Sequence, residues 1–275
     1  MVELIVVVGI IALLMGLLLP ALASVRSSAR QTAEAAAARQ MYAAYSNYAT
    51  VWNDAVLPGY RTSWDNGRAV RARDEAGNDL STQGVPGVAI ARYPLRLAPY
   101  LDHRFEGLYL NDQGDRLENM QNITDSSFNY VVSLFPSLGL NARWVGGHEG
   151  QLAWQSTALD TFGRFWVERM SAVNHPEKLI VFASSRGSDP DFPEAGVVEG
   201  YFDIRSPAFV QNEWNGEWHE HAPPTDHGFI SLRHGGEAIS ARMDGSVESM
   251  TESQLLDMRH WANGATRADW TLTPN

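Results

Sequence analysis

The 275-residue chain contains no cysteine. This absence excludes disulfide bonds, thiolate metal ligands and thiol nucleophiles, so packing and hydrogen bonds must hold the fold together. Basic residues are also scarce, because 21 lysines and arginines stand against 32 aspartates and glutamates and give a net charge of -11. Such a charge repels phosphate backbones, so nucleic acid is not expected as a partner.

Recognised catalytic motifs are missing as well. The sequence has no nucleophile elbow, phosphate-binding loop or zinc-protease helix. Enzymatic activity is therefore not predicted. The nine tryptophans and the 44% share of hydrophobic residues nonetheless predict a chain that buries a substantial core.

Charge is absent from residues 4–23, where every side chain is apolar, glycine or proline. As a helix with a rise of ~1.5 Å per residue, this stretch spans roughly the 30 Å hydrocarbon core of a bilayer. We therefore predict a membrane-crossing helix, since the stretch is too long for a signal peptide and lacks the polar face of a globular core helix. Arg26 and Arg30 follow it, and by the positive-inside rule they alone would place the larger domain in the cytoplasm.

Glycine and proline are absent from residues 24–53, which predicts that the helix continues beyond the membrane. Its apolar residues recur at 3-4-3-4 spacing, and this stripe comprises Ala38, Met41, Tyr45, Tyr48 and Trp52. The last four are expected to anchor the helix to a sheet. Pro20 is expected to kink the helix or open it locally, and the segment LPGY at 57–60 is expected to end it.

Strand signals lie in the second half of the chain. The run KLIVFASS at 178–185 predicts a buried strand, and VVEGYFDIRS, which begins at Val197, predicts another. The segment TESQ at 251–254 is a capping box and predicts a helix that runs to about Asn263.

Between these elements the sequence predicts an antiparallel meander. GFISLRH, EAISARM and SVESM read as three short strands. They are separated by Gly235 with Gly236 and by Asp244 with Gly245, which are favoured two-residue hairpin loops. For the second loop we expect a type I′ turn, in which both residues have positive φ.

The N-terminal segment VELIVVVGIIALLMGLLLPAL resembles the start of type IV pilins and of type II secretion pseudopilins. Glu3 and Pro20 fall on the matching positions of that pattern. The resemblance implies that a basic leader and about two further residues precede Met1 in the precursor, and that the mature chain begins with a methylated residue. Such a leader would also hold the N-terminus inside and reverse the orientation expected from Arg26 and Arg30.

A second motif, RHGGEAISARMDG, places nine residues between His234 and the pair Asp244 and Gly245. It resembles the H-X9-DG motif of prepilin-type proteins. His234 and Asp244 are not expected to act as an acid–base pair, because a whole strand, roughly 30 Å at 3.3 Å per residue, separates them. We interpret the motif as structural: the Asp-Gly pair forms a turn, and His234 caps or packs at the other end of the strand.

The resemblance implies an α+β, pilin-like fold with a long N-terminal helix, apolar in its first half, packed on an antiparallel sheet with inserted loops. Residues 1–24 would form a transmembrane or filament-core helix and residues 25–55 its amphipathic continuation. Residues 56–275 would form a globular head domain with a C-terminal meander and helix.

In this family the glutamate pairs with the N-terminal amine of a neighbouring subunit, which implies that Glu3 acts in assembly. A lone carboxylate in hydrocarbon is costly and needs such a partner, unless it simply reaches up to the lipid headgroups. Gly9 and Gly16 lie two turns apart on nearly one face, where small residues let helices pack closely. Together with Pro20 they are expected to let the segment 16–21 lose helical hydrogen bonds when the helices bundle, which would make the filament extensible.

The function implied is that of a structural subunit of a type IV pilus-like filament, a homo-oligomer held by its hydrophobic helix. The precursor would sit in inner-membrane lipid, where prepilin peptidase and the assembly machinery are its partners, and would end in an extracellular filament. Two alternatives remain open: a type II secretion pseudopilin, and a singly anchored binding protein that never polymerises.

No cofactor is required by this function, but two clusters offer ligands. His219, His221, Asp226 and His227 would suit zinc or copper if the prolines between them fold the loop back, although a solvated loop is the alternative. Asp189, Asp191 and Glu194 offer oxygen ligands that would suit calcium, although their spacing matches no EF-hand loop. Asn122, Ile123 and Thr124 form a glycosylation sequon.

Overall fold

The computed structural model describes residues 2–64, 67–104, 109–110, 125–188 and 196–275. Two predicted features lie outside the described residues: the sequon at 122–124 and the calcium ligands Asp189, Asp191 and Glu194.

The chain begins with one long helix, α1, at Val2–Val51. It continues through Pro20. It ends before the segment 57–60, because Asn53 and Asp54 adopt φ values of 52° and 72°. Left-handed backbone cannot continue a right-handed helix, so these two residues end it.

The two halves of α1 have different surroundings. From Leu4 to Val25 the described side chains are exposed. From Glu34 onward every third or fourth side chain is buried against the rest of the protein. In the described part of the chain, α1 is the one helix long and apolar enough to cross a membrane.

A four-stranded antiparallel sheet lies against the second half of α1. Its strand order is β1-β2-β5-β6, and β3 pairs with β4 in a separate ribbon. The strands are β1 (Leu138–Leu140), β2 (Ile180–Ser184), β3 (Arg186–Gly187), β4 (Val198–Glu199), β5 (Glu237–Arg242) and β6 (Val247–Thr251). The predicted α+β class is thus confirmed.

Short helices complete the described elements. The α-helices after α1 are α2 (Gly87–Ala91), α3 (Tyr93–Leu97), α4 (Asp125–Leu134), α5 (Ser156–Phe162) and α6 (Glu252–Leu255). The 3-10 helices are Leu80–Gln83, Ala98–Leu101, Glu149–Gln151, Met170–Ala172, Pro224–His227 and Met258–His260.

Both faces of the sheet are covered. Ile239 of β5 packs in one apolar cluster with Met41 and Tyr45 of α1. Its neighbour Ala238 packs in a second cluster with Trp261, which follows the last 3-10 helix. Because successive strand residues point to opposite faces, β5 separates these two cores.

The predicted meander is wrong in its first strand. Residues 228–234 form no strand, although Ile230 makes a bridge with Ser185 and the backbone N–H of Ser231 donates to the carbonyl of Ser184, the last residue of β2, at 3.0 Å. Gly228 and Phe229 have φ values of 57° and 64°, so the backbone cannot extend there. The hairpin that does form is β5 with β6, in which Ile239 lies opposite Ser249.

The turn of this hairpin has three residues, 243–245, and not the predicted two. The backbone N–H of Gly245 donates to the carbonyl of Arg242 at 3.0 Å, and the N–H of Arg242 donates to the carbonyl of Ser246 at 2.9 Å. Gly245 has a φ of 86°, whereas Asp244 is not among the residues with positive φ. This arrangement is a three-residue loop closed by a left-handed glycine, so the type I′ prediction was wrong.

Two other elements are shorter than predicted. The strand at Val197 covers only Val198–Glu199, because Gly200 follows with a φ of 115°. The C-terminal helix stops at Leu255 and does not reach Asn263. The Asp257 carboxylate accepts a hydrogen bond from the backbone N–H of Arg259 at 2.9 Å and so starts a separate turn.

Of the four predicted anchors of α1, three are buried. Met41 and Tyr45 are fully buried, and Tyr48 is nearly so. Trp52 differs from the prediction, because it lies just beyond the helix end and is 56% exposed. It stacks on Tyr48 and donates from Nε1 to the Tyr100 hydroxyl at 2.8 Å.

Because Tyr45 is buried and Trp52 is exposed, truncating the two side chains should destabilise the protein to different extents. Tyr45→Ala removes a ring that packs edge-on against Phe182 in the core, and should lower the free energy of unfolding by about 3–5 kcal/mol. Trp52→Ala should lower it by less than about 1 kcal/mol. Urea unfolding of the full chain in detergent micelles, followed by circular dichroism, measures both. Equal losses for the two variants would contradict the placement of Trp52 outside the core.

Candidate functional site

The structure places the residues of the H-X9-DG motif at opposite ends of β5. His234 precedes the strand and Asp244 follows it, so the two side chains belong to different sites. The turn residues 243–245 hold Asp244 at the surface, where its Oδ1 accepts from the backbone N–H of Ser246 at 2.9 Å and from the Ser246 hydroxyl at 2.6 Å. Asp244 therefore finishes a turn, as the structural interpretation predicts.

His234 reaches a residue that the sequence interpretation missed. Its Nε2 lies 2.8 Å from Oε2 of Glu34 on α1, 200 positions earlier in the chain. Arg233 also binds this carboxylate, with Nε 2.9 Å from Oε2 and Nη2 2.6 Å from Oε1. The hydroxyl of Ser184 on β2 donates to Oε1 at 2.5 Å. We call this group of Glu34, Ser184, Arg233 and His234 the helix–sheet clamp.

Protonation in the clamp follows from its hydrogen bonds. Burial of Glu34 would raise the pKa of its carboxyl, but the charge of Arg233 and the hydrogen bonds from His234, Arg233 and Ser184 lower that pKa to about 2. Glu34 is therefore an anion, and a carboxylate can only accept hydrogen bonds. The proton at the His234 contact thus sits on Nε2.

Arg233 connects the carboxylate to further residues beyond α1. Nη1 donates to the carbonyl of Ser185 at 2.8 Å, and Nη2 donates to the carbonyl of Ser137 at 2.9 Å. Glu199 of β4 adds an ion pair at 3.1 Å. Burial lowers the pKa of Arg233, but Glu34 and Glu199 outweigh it and raise that pKa overall. One guanidinium therefore ties the helix to both sheets.

The hydrogen bonds of the clamp hold α1 on the sheet. Glu34 is fully buried, and both of its oxygens accept hydrogen bonds from groups of the protein. Ser184 is fixed in turn, because its Oγ accepts from the backbone N–H of Ile239 at 2.8 Å. The clamp therefore fixes the axial and rotational position of α1 on the sheet.

A sequence signal for Glu34 existed. The predicted stripe begins at Ala38, and Glu34 lies four residues before it, on the same helix face. A carboxylate in register with a buried stripe requires a buried cation. Arg233, adjacent to the motif histidine, supplies it.

The predicted transition-metal ligands are not brought together. His219 and His221 are exposed, whereas the 3-10 helix Pro224–His227 directs His227 inward, 3.3 Å from Glu252. Asp226 is partly buried. Among the residues that the structure describes, no three histidine or acidic side chains form a group that could hold a metal ion.

The predicted assembly residues all lie on the apolar half of α1. Glu3 is exposed, and a Cβ added to Gly9 or Gly16 would meet nothing within 4 Å. Any partner of this surface must therefore come from outside the described chain.

Comparison with known proteins gave no match to a family model, to a curated protein or to a solved structure.

Proposed function

We propose that this chain is a structural subunit of a type IV pilus-like extracellular filament, assembled through its N-terminal helix. One observation carries the proposal: α1 is a single helix whose first half is exposed and apolar while its second half is fixed to the head domain. The first half needs an apolar environment, which lipid supplies before assembly and neighbouring helices supply afterwards.

The clamp fits a subunit that carries load. A filament held by its helices transmits axial force from α1 to the head domain. Apolar contacts are non-directional and let packed surfaces slide, whereas hydrogen bonds of defined geometry resist sliding. The contacts of Glu34 with Arg233, His234 and Ser184 fix α1 in one register on the sheet.

Glu3 supplies the register between subunits in this proposal. A carboxylate within an apolar surface is stabilised by an opposite charge, and the N-terminal amine of a neighbouring chain provides one. The route to the filament would follow that of prepilins: insertion in the inner membrane, cleavage by prepilin peptidase, methylation of the new terminus and extraction by the assembly machinery.

The test removes the charge of Glu3. Glu3→Gln should leave the head domain folded and the protein in the membrane, while filaments shorten or vanish, because the carboxylate pairs with another chain. Electron microscopy of filaments sheared from cells, with the thermal midpoint of the purified chain, measures both properties. Glu217→Gln, at an exposed position of the head domain, is the control and should assemble normally.

Three results would contradict the proposal. Normal filaments from Glu3→Gln would remove the role of the carboxylate. Short periplasmic assemblies required for protein secretion would instead favour a type II secretion pseudopilin. Monomeric membrane protein in cells that express the unaltered chain would favour the singly anchored binding protein.

A further inference from the structure

A cleft of about 910 Å³ opens in the head domain beside the C-terminal end of α1. It lies between that helix end, the segment 68–73 and α3 with the turn after it. Its lining includes the arginines Arg68, Arg71, Arg73 and Arg96 and the tryptophans Trp52 and Trp64. Its volume falls within the range of about 300–1,000 Å³ typical of sites for small ligands.

The charge of the cleft is opposite to that of the whole chain. The chain has a net charge of -11, yet four arginines line this cleft and none of its described lining residues is acidic. Arg71 forms an ion pair with Asp79 at 3.3 Å, but its side chain remains 68% exposed and can turn to a ligand. The cleft thus concentrates positive potential on an acidic surface.

Arg96 gives the cleft a buried cation. Its Nη2 donates to the carbonyls of Pro58 at 2.6 Å and Gly59 at 3.0 Å, whereas its buried Nη1 has no hydrogen-bond partner within the described residues. Burial lowers the pKa of Arg96 to about 10, so it is still charged at neutral pH. Arg96 therefore adds a fixed positive charge to the wall of the cleft, while its Nη1 itself is shielded from solvent.

The tryptophans supply a second kind of contact. Trp52 is 56% exposed and Trp64 is 39% exposed, although indole rings are usually well buried. Trp52 is nonetheless held in place by its stacking on Tyr48 and its hydrogen bond to Tyr100. The exposed, fixed ring of Trp52 is suited to packing against the C–H face of a pyranose ring, and Trp64, which the Arg61 guanidinium approaches to 5.1 Å from the ring centroid, offers a second exposed ring.

We propose that this cleft binds an acidic saccharide, whose carboxylates pair with the arginines while its sugar rings stack on Trp52 and Trp64. Guanidinium groups bind carboxylates with paired, charge-assisted hydrogen bonds, which matches the cations at the cleft. A nucleic acid also combines anions with stacking rings, but the net charge of -11 repels a polyphosphate outside the cleft. The inference concerns the head domain alone and holds whether or not the chain polymerises.

The test is calorimetric titration of the full chain in detergent micelles with a tetramer of galacturonic acid. Its fully methyl-esterified form, which has the same rings without charge, should bind at least about tenfold more weakly. Arg71→Gln should weaken binding of the acid about tenfold, and Trp52→Ala should weaken it by a similar factor. Arg267→Gln is the matched control, because Arg267 is also 68% exposed and also pairs with an aspartate, Asp269.

Several outcomes would overturn the proposal. They are no binding of the tetramer, equal binding of the acid and its ester, or equal losses for Arg71→Gln and Arg267→Gln. Tighter binding of an eight-residue oligothymidylate than of the tetramer would assign the cleft to nucleic acid instead. The thermal midpoint of each variant, compared with the unaltered chain, separates lost binding from lost folding.

Discussion

Glu34→Ala is expected to lower the free energy of unfolding by about 3–5 kcal/mol, because it removes the buried anion beside Arg233 and leaves only the half-exposed Glu199 as its ion-pair partner. His234 and Ser184 lose their acceptor in the same step. Chemical unfolding of the full chain in detergent micelles, followed by tryptophan fluorescence, measures the loss. Gln40→Ala, at an exposed position of the same helix, should change the stability by less than about 0.5 kcal/mol.

Lowering the pH should remove the stabilisation that Glu34 gives to the folded state. The pKa of Glu34 falls from 4.5 to about 2 on folding, so the folded state favours the ionised form. The resulting stabilisation, on the order of 3 kcal/mol, is complete above pH 4.5 and is lost as the pH falls towards 2. The unaltered chain and Glu34→Ala should therefore converge in stability across this interval. A constant difference between them would contradict an ionised Glu34.

Substitutions of the residues that contact Glu34 test the clamp further. His234→Gln retains an N–H donor for Glu34 and should cost less than His234→Ala. The double variant Glu34→Leu with Arg233→Met removes both charges, and should cost less than the sum of the two single changes. Additive losses would show that the two residues do not act as a pair.

Gly245→Val is expected to lower the free energy of unfolding by about 3–4 kcal/mol, for two separate reasons. Its φ of 86° is strained for a β-branched residue. A Cβ at this position would also come within 2.8 Å of the Tyr42 ring. Tyr42 has little room to move, because its hydroxyl donates to the carbonyl of Met243 in the same turn. Urea unfolding of the full chain measures the loss.

Two controls separate these causes and test the role of Asp244. Gly77→Val introduces similar strain, at a φ of 83°, but its Cβ would meet nothing within 4 Å, so it should cost only about 1–2 kcal/mol. Asp244→Asn keeps an oxygen to accept from Ser246 and should be nearly silent. If Asp244→Asn abolished filaments while the domain stayed folded, the motif would be a functional site and the structural interpretation would be wrong.

The sequence predicted those features that depend on local periodicity. The long helix, its buried stripe at Met41 and Tyr45 and the strand at 180–184 follow from residue spacing alone. Prediction from the sequence failed where distant contacts override the local preference for a secondary structure. The run 228–234 has strand-like composition, but its backbone turns so that Arg233 and His234 reach Glu34.

In the candidate site, too, some features depend on local sequence and others on distant contacts. Asp244 and Gly245 encode their turn locally, although the choice of a three-residue loop depends on where Arg242 and Ser246 pair. Glu34 carries no local signal except its register with the stripe, because its partners are encoded about 200 residues later. A single sequence does not identify such a pair unless each charged residue that is predicted to be buried is assumed to have an oppositely charged partner.

The separation of the clamp residues along the chain also orders the events of biosynthesis. Glu34 emerges early from the ribosome, but Arg233 follows 199 residues later. At a synthesis rate of ~5–20 residues per second, that interval lasts roughly 10–40 s. During it the apolar half of α1 is already complete, while its second half still lacks the strands on which it will pack. The last third of the chain therefore determines when α1 becomes fixed on the sheet, and the membrane insertion that we propose has time to precede that step.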